Sequence, residues 1–236
     1  MKFIDKTYTA HPFLGSPKIT ELARRQFNEP INHKRIERLM SLMGLQAIYP
    51  KRNKNTGKGG EAHKKYPYLL KDLAVIRPNQ VWGTDITYIQ LGNGFCYLIA
   101  LIDWFSRYVI AWELSGSLEN WFCIEALERA LAIDFPEIHN SDQGCQFTSK
   151  DYTAILESRN IRISMDGRGR CFDNIFTERL WRTVKYEDVY LKRYLTISEA
   201  HSGLNEYFPF YNNERPHQSL DYHTPAEVYF QSVNNN

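Results

Sequence analysis

The stretch VWGTDITYIQLGNGFCYLIALIDWFSRYVIAWEL, residues 81–114, decides the fold. Val81 to Gln90 is rich in Thr, Ile, Tyr and Trp, a composition typical of a β-strand. Leu91-Gly92-Asn93-Gly94 carries the Asn-Gly signature of a hairpin turn. The nearly continuous apolar run from Phe95 to Trp104 predicts a strand that is buried on both faces. Tyr108 to Leu114 then predicts a third strand.

Helices and short strands alternate after this stretch. Apolar spacing predicts helices at 119–133, at 149–158 and from Asp173 to about Glu187, and strands at Glu137 to Ser141 and Ile161 to Met165. The resulting order, β-β-β-α-β-α-β-α, is that of the ribonuclease H-like fold. We therefore expect an α/β core with a mixed five-stranded sheet flanked by helices.

Charge is distributed unevenly along the 236 residues. Residues 1–72 hold 15 Lys and Arg against 6 Asp and Glu, whereas residues 73–236 hold 14 against 21. A basic front segment on an acidic body is typical of a polyanion-binding arm. A solvated basic surface would explain the imbalance equally well.

Two short helices are predicted in this basic segment, one over 18–27 and one from His33 to Met43, ending at Gly44. The second helix carries Lys34, Arg35 and Arg38. Two helices around a tight break fit a helix-turn-helix with these three residues as DNA contacts. An ordinary helical hairpin is the alternative. Residues 51–65 are basic, contain glycine and have the composition of a linker.

Three carboxylates are predicted to converge at one end of the sheet. Asp85 lies inside an apolar strand, where an ionised carboxylate is unfavourable unless it is paired or binds a cation. Asp142 directly follows a short strand, and Glu178 lies on the last predicted helix with 35 residues between the two. Together they would form an oxygen-rich site for Mg²⁺ or Mn²⁺. Taken singly, each residue is better explained as a strand-end, turn or solvated helix residue.

Further polar residues accompany Glu178. Asn174, Arg182 and Lys185 are spaced so that they share its helix face, where basic groups could bind DNA phosphates. Gly167-Arg168-Gly169-Arg170 precedes the helix, and its two arginines suit a DNA backbone. A salt-bridged surface helix and a flexible turn are the respective alternatives.

The chain resembles a known family over nearly its whole length. It is similar to the second-frame product of IS3-family insertion sequences, a DDE transposase with a retroviral-integrase-like core. The similar segments are WGTDITYI at 82–89, LIDWFSRYVIAWEL at 101–114, NSDQGCQFTS at 140–149, SMDGRGRCFDNIFTERLWRTVKYEDVYL at 164–191 and NERPHQSLDYHTPAEVY at 213–229, with HPFLGSPKITEL, HKRIERLMSLMGLQAIYPK and HKKYPYLL upstream.

The resemblance implies a function and a division of the chain. Asp85, Asp142 and Glu178 would be the metal-binding catalytic triad, with two Mg²⁺ or Mn²⁺ ions, and Lys185 the basic residue that follows the Glu. The expected regions are a helix-turn-helix-like part at 1–50, a basic linker at 51–77, an integrase catalytic core at 78–200 and a C-terminal integrase tail at 201–236.

Several partners are expected on the same grounds. The substrate would be double-stranded DNA, both element ends and target, bound by a homo-multimer. An upstream-frame product would join the chain as a fusion or a partner. We expect a cytoplasmic protein, because no apolar run is long enough to cross a membrane and no secretory signal is present. Two other functions stay open, a nuclease of the same fold that hydrolyses RNA in hybrids and a catalytically silent DNA-binding protein.

Overall fold

The computed structural model describes residues 1–48, 66–166 and 174–233. At its centre is a five-stranded sheet of order β3-β2-β1-β4-β5. The pairs β1–β2 and β2–β3 are antiparallel, whereas β1–β4 and β4–β5 are parallel. The strands are β1 Val81–Leu91, β2 Gly94–Asp103, β3 Val109–Ser115, β4 Ile138–Ser141 and β5 Arg162–Met165. The predicted mixed sheet is confirmed, and every strand limit lies within one residue of its prediction.

The first hairpin aligns β1 with β2. Leu91 pairs with Gly94, so that only Gly92 and Asn93 form the turn. Gly94 has a φ of 116°, a conformation that glycine adopts without the steric cost other residues incur. The turn therefore explains why residue 94 is a glycine. Its short length fixes the register between β1 and β2.

Helices cover both faces of the sheet and form the two ends of the chain. They are α1 Lys2–Ala10, α2 Ser16–Phe27, α3 His33–Leu42, α4 Trp121–Leu131, α5 Lys150–Ser158, α6 Ile175–Val184, α7 Tyr190–Lys192, α8 Ile197–Asn213 and α9 Pro225–Val233. A π-helix, Lys185–Val189, continues α6, and a short 3₁₀-helix, Gln218–Leu220, precedes α9. Within the described part of the chain, no helix is long and apolar enough to cross a membrane.

The two faces of the sheet bury separate hydrophobic cores. One face packs against α4, α5 and Tyr229 of α9, and its largest buried side chains are Trp82, Tyr152, Tyr229 and Phe122. The other packs against α6, α8 and the N-terminal helices, with Ile4, Ile19, Ile36, Ile89, Leu98, Leu180 and Leu204 buried together. The N-terminal helices thus share a core with the sheet.

Some elements differ from the sequence predictions. Helix α1 was not predicted from the sequence, and it buries only Ile4. The last core helix does not run unbroken to Glu187, since α6 ends at Val184 and changes to a π-helix. Helix α8 begins at Ile197 and crosses the predicted boundary between residues 200 and 201. The domain limits themselves stay predictions.

Candidate active site

The strand register places three aspartates side by side. Gly83 of β1 pairs with Asn140 of β4, so Asp85 and Asp142 each lie two residues beyond a paired position. Ser141 of β4 pairs with Met165 of β5, so Asp142 and Asp166 each follow directly. We call Asp85, Asp142 and Asp166 the aspartate row. Consistent with their proximity, the carboxylates of Asp142 and Asp166 both raise the pKa of Asp85.

Asp85 lies in surroundings that disfavour its charge. Burial, the largest influence, raises its pKa to about 7, although the indole Nε1 of Trp181 donates a hydrogen bond to Oδ2 at 2.9 Å. Among the residues that the structure describes, no Lys, Arg or His forms an ion pair with it. Negative charge that is not neutralised by protein is the setting in which carboxylates bind a divalent cation. Asp85 therefore offers an oxygen ligand of the kind that Mg²⁺ or Mn²⁺ takes.

Asp142 is held by a tight turn at the end of β4. The backbone N–H of Gly144 donates to Asp142 Oδ1 at 2.8 Å. A Cβ on residue 144 would lie only 2.8 Å from the same oxygen. With glycine at 144 the carboxylate folds back onto this N–H group without having to shift.

Asp166 was not among the predicted site residues. Its carboxylate Oδ1 accepts a hydrogen bond from Asn140 Nδ2 at 2.9 Å, and its backbone carbonyl accepts one from Gln143 Nε2 at 2.8 Å. Both contacts fix it beside the Asp142 turn. The sequence held a usable signal, because Asp166 follows the predicted strand β5 directly, as Asp142 follows β4.

Helix α6 lies against β1 because of a glycine. A Cβ at Gly83 would overlap the Trp104 indole and lie 3.1 Å from Thr177 Oγ1 of α6. The helix buries Thr177, Leu180, Trp181 and Val184 on this side. Gly83 therefore permits the close approach through which Trp181 contacts Asp85.

Glu178 lies on the solvent side of α6 and is exposed. In the described ranges, no group of three His, Cys, Asp or Glu side chains is gathered closely enough to hold a metal ion. The structure thus aligns Asp85 with Asp142 and leaves Glu178 on the neighbouring helix, three residues before Trp181. Convergence of the three predicted residues stays a prediction.

The residues predicted to share the charged face of α6 differ in their exposure. Arg182 is exposed, as expected. Asn174 is 8 % exposed, and its Nδ2 donates to the Thr84 carbonyl at 3.3 Å. The expectation that it shares the face of Glu178 is wrong, because Asn174 precedes the first turn of α6 as its N-cap and its side chain is buried against β1. Lys185 is half-buried and donates to Thr87 Oγ1 at 2.6 Å, since it begins the π-helix.

The N-terminal basic residues do lie on an accessible surface. Lys34, Arg35 and Arg38 are exposed along α3, whose opposite side buries Ile36 and Met40. The helix is capped by Asn32, whose side chain accepts from the Lys34 N–H at 3.0 Å. The predicted contacts Arg168 and Arg170 lie outside the described residues.

Comparison with known proteins identifies the family. Two models named integrase core domain match residues 76–171 and 159–225, and an HTH-like domain model matches residues 1–53. The putative transposase InsK for insertion sequence element IS150 of Escherichia coli (strain K12) is 32% identical over 218 residues, which are 90% of this chain and 76% of that protein. The chain belongs to the insertion-sequence transposases.

Other relatives and structures agree with the family. The transposase for insertion sequence element IS629 of Shigella sonnei is 30% identical over 205 residues, 85% of this chain and 69% of that protein. The transposase InsF for IS3A of Escherichia coli (strain K12) is 30% identical over 208 residues, 86% of this chain and 72% of that protein.

Solved structures confirm the predicted fold of this transposase. The HTLV-2 integrase catalytic core domain in complex with magnesium gives a TM-score of 0.54 at 19% identity, covering 65% of this chain and 98% of that one. The simian T-cell lymphotropic virus intasome in complex with the PP2A regulatory subunit B56 gamma gives a TM-score of 0.57 at 17% identity, covering 96% of this chain and 74% of that one. At these identities the likeness concerns the fold alone.

Proposed function

We propose that this transposase cuts and joins double-stranded DNA at the ends of its element, using divalent cations held by Asp85, Asp142 and Glu178. The observation that carries the proposal is Asp85, a half-buried carboxylate beside two others and without a basic partner among the described residues. A Mg²⁺ or Mn²⁺ pair bound there would supply Lewis-acid stabilisation of the attacking and leaving oxygens.

The protein groups have separate roles in this proposal. Asp85 and Asp142 would hold the divalent cations, with Trp181 and Gly144 orienting one oxygen of each carboxylate. Glu178 completes the site through rotation of its exposed side chain toward β1. Water first attacks a phosphodiester at the element end and breaks its P–O3′ bond, which frees a 3′-OH. This 3′-OH then attacks a phosphodiester of the target, so that a new phosphodiester forms and the 3′-oxygen of the target strand leaves as a hydroxyl. Since DNA supplies the second nucleophile, the chain needs no covalent intermediate.

The basic surfaces would position the DNA. Lys34, Arg35 and Arg38 of α3 present three cations to a duplex, the arrangement expected of a recognition helix. Arg182 extends from the α6 surface next to Glu178 and could contact phosphates near the cleaved bond. Binding two ends at once requires a multimer of this chain on DNA. The upstream-frame product, as a fusion or a partner, would contribute to end recognition.

Asp85→Asn tests the proposal. Loss of one metal-binding carboxylate should lower Mg²⁺-dependent cleavage and strand transfer by about a thousandfold or more, because charge stabilisation in such sites is the main catalytic effect. The assay follows labelled duplex ends of the element on gels. Asp151→Asn, an exposed change on α5, is the matched control and should keep full activity. Strand transfer that survives in Asp85→Asn would refute the proposal, and preferred cleavage of RNA–DNA hybrids would favour the nuclease alternative.

A further inference from the structure

A buried ion-pair cluster lies just beyond the helix that carries Glu178. Its centre is Glu187, in the π-helix that follows α6 and 8 % exposed. Arg215 donates to both carboxylate oxygens, from Nε and Nη2, each at 2.6 Å. The Tyr207 hydroxyl donates at 2.9 Å and the Lys18 ammonium at 3.3 Å. Three donors thus converge on one carboxylate.

These donors come from different parts of the chain. Lys18 belongs to α2 in the HTH-like region, whereas Tyr207 and Arg215 belong to α8 and the segment after it. Burial opposes the charge of Glu187, yet Arg215 and Lys18 keep its pKa below the usual value. One ionised side chain therefore joins the DNA-binding region, the catalytic helix and the C-terminal segment.

The π-helix connects this cluster to the sheet. Glu187 and its neighbour Asp188 are both buried and face different partners, since Asp188 accepts from Lys192 at 2.8 Å and from Tyr194. At the start of the same turn, Lys185 donates to Thr87. Thr87 lies on β1, two residues after Asp85. A contact path thus runs from Glu187 to the strand that carries Asp85.

We propose that Lys18 and Arg215 are positioning residues that act through Glu187 to set the orientation of α6, and with it the position of Glu178 relative to β1. The inference rests on the proposed function only for the role of Glu178. In this arrangement the DNA-binding region and the active site are mechanically linked through a single carboxylate. Displacing Lys18 would loosen the catalytic helix without changing any group at the reacting bond.

The chain contains a matched control for this link. Arg25, also on α2, donates to both oxygens of Glu227 on α9, at 3.0 and 3.2 Å. This pair joins the same two ends of the chain but does not involve α6 or the π-helix. Lys18→Met and Arg25→Met each remove one cation from α2, so they separate general docking from the link through Glu187.

Hydrogen exchange tests the link in the free protein. In Lys18→Met, amides of residues 175–189 should exchange roughly three- to tenfold faster, as local opening becomes easier when a stabilising contact is lost. Lys18→Arg should restore the wild-type rates, and Arg25→Met should leave them unchanged. Equal exchange of residues 175–189 in Lys18→Met and Arg25→Met would overturn the proposal.

Turnover tests the consequence for catalysis. In the labelled-end assay, Lys18→Met should lower kcat about tenfold while KM for DNA stays within about twofold, because transition-state positioning is lost but DNA binding is kept. A rise in KM with unchanged kcat would instead make Lys18 a DNA contact and overturn the inference. If the wild type joins no DNA, the proposed function fails, and hydrogen exchange alone still decides whether the link exists.

Discussion

Asp85 and Glu187 lie at the two ends of the contact path that runs through the π-helix and Thr87, and their pKa values are shifted in opposite directions. Asp85 lies beside Asp142 and Asp166, and its pKa is raised to about 7 by burial and by these neighbours. Glu187 lies among Arg215, Lys18 and Tyr207, and its pKa is lowered despite burial. Burial raises the pKa of both groups, so the opposite directions come from the partners that the fold supplies.

This difference distinguishes a binding site from a structural contact. A buried carboxylate with a bidentate arginine has its charge neutralised and its hydrogen bonds satisfied, so it holds segments together. A carboxylate among other carboxylates destabilises the metal-free protein and gains from a cation. In the proposed function, the carboxylate with the raised pKa belongs to the metal site, and the one with the lowered pKa belongs to the cluster that we propose positions it.

Removing a partner from Glu187 should have the largest effect on stability. Arg215→Met leaves a buried carboxylate without its main cation, and we expect the free energy of unfolding to fall by about 3–5 kcal/mol. Urea denaturation followed by tryptophan fluorescence measures the change. Arg25→Met breaks a more exposed pair and should cost less than about 1 kcal/mol. Similar losses in both variants would remove the distinction between the two clusters.

The pH dependence of stability should separate the two carboxylates. The pKa of Asp85 is raised in the folded state, so without metal its contribution is favourable below the unfolded value and is lost as pH rises toward 7. The pKa of Glu187 is lowered, so its contribution is present above its unfolded value and is lost on acidification.

Stability at two pH values measures this contrast. From pH 5 to pH 8 in EDTA, the wild type should lose stability relative to Asp85→Asn by on the order of 1 kcal/mol, after allowing for the partial exposure of Asp85. Addition of Mg²⁺ should reduce the difference, because a ligand of the folded state stabilises only the variant that binds it. A pH-independent difference between the two proteins would show that Asp85 is not the group that titrates.

The sequence predicted the sheet more fully than the site. Residues 81–114 define their strands through composition and an Asn-Gly turn, both of which are local signals. Asn174 was placed on the wrong side because continuous helical spacing was extended over a residue that only caps α6. The Glu187 cluster could not be predicted, since its donors Lys18 and Arg215 are distant in sequence and meet only through packing. The convergence of Glu178 with the aspartates is still untested.

Asp166 gives the smallest and most specific test of the aspartate row. Asp166→Asn removes one neighbouring negative charge but keeps an oxygen that can accept from Asn140, so the turn at Asp142 should persist. We expect Mn²⁺ affinity to fall only about two- to threefold, because Asp166 affects the charge of Asp85 less than Asp142 does, whereas Asp142→Asn should lower it at least tenfold. Titration calorimetry with Mn²⁺ compares the two variants. Equal losses would make Asp166 a direct ligand, and no loss in either would show that the cation is not held by this row.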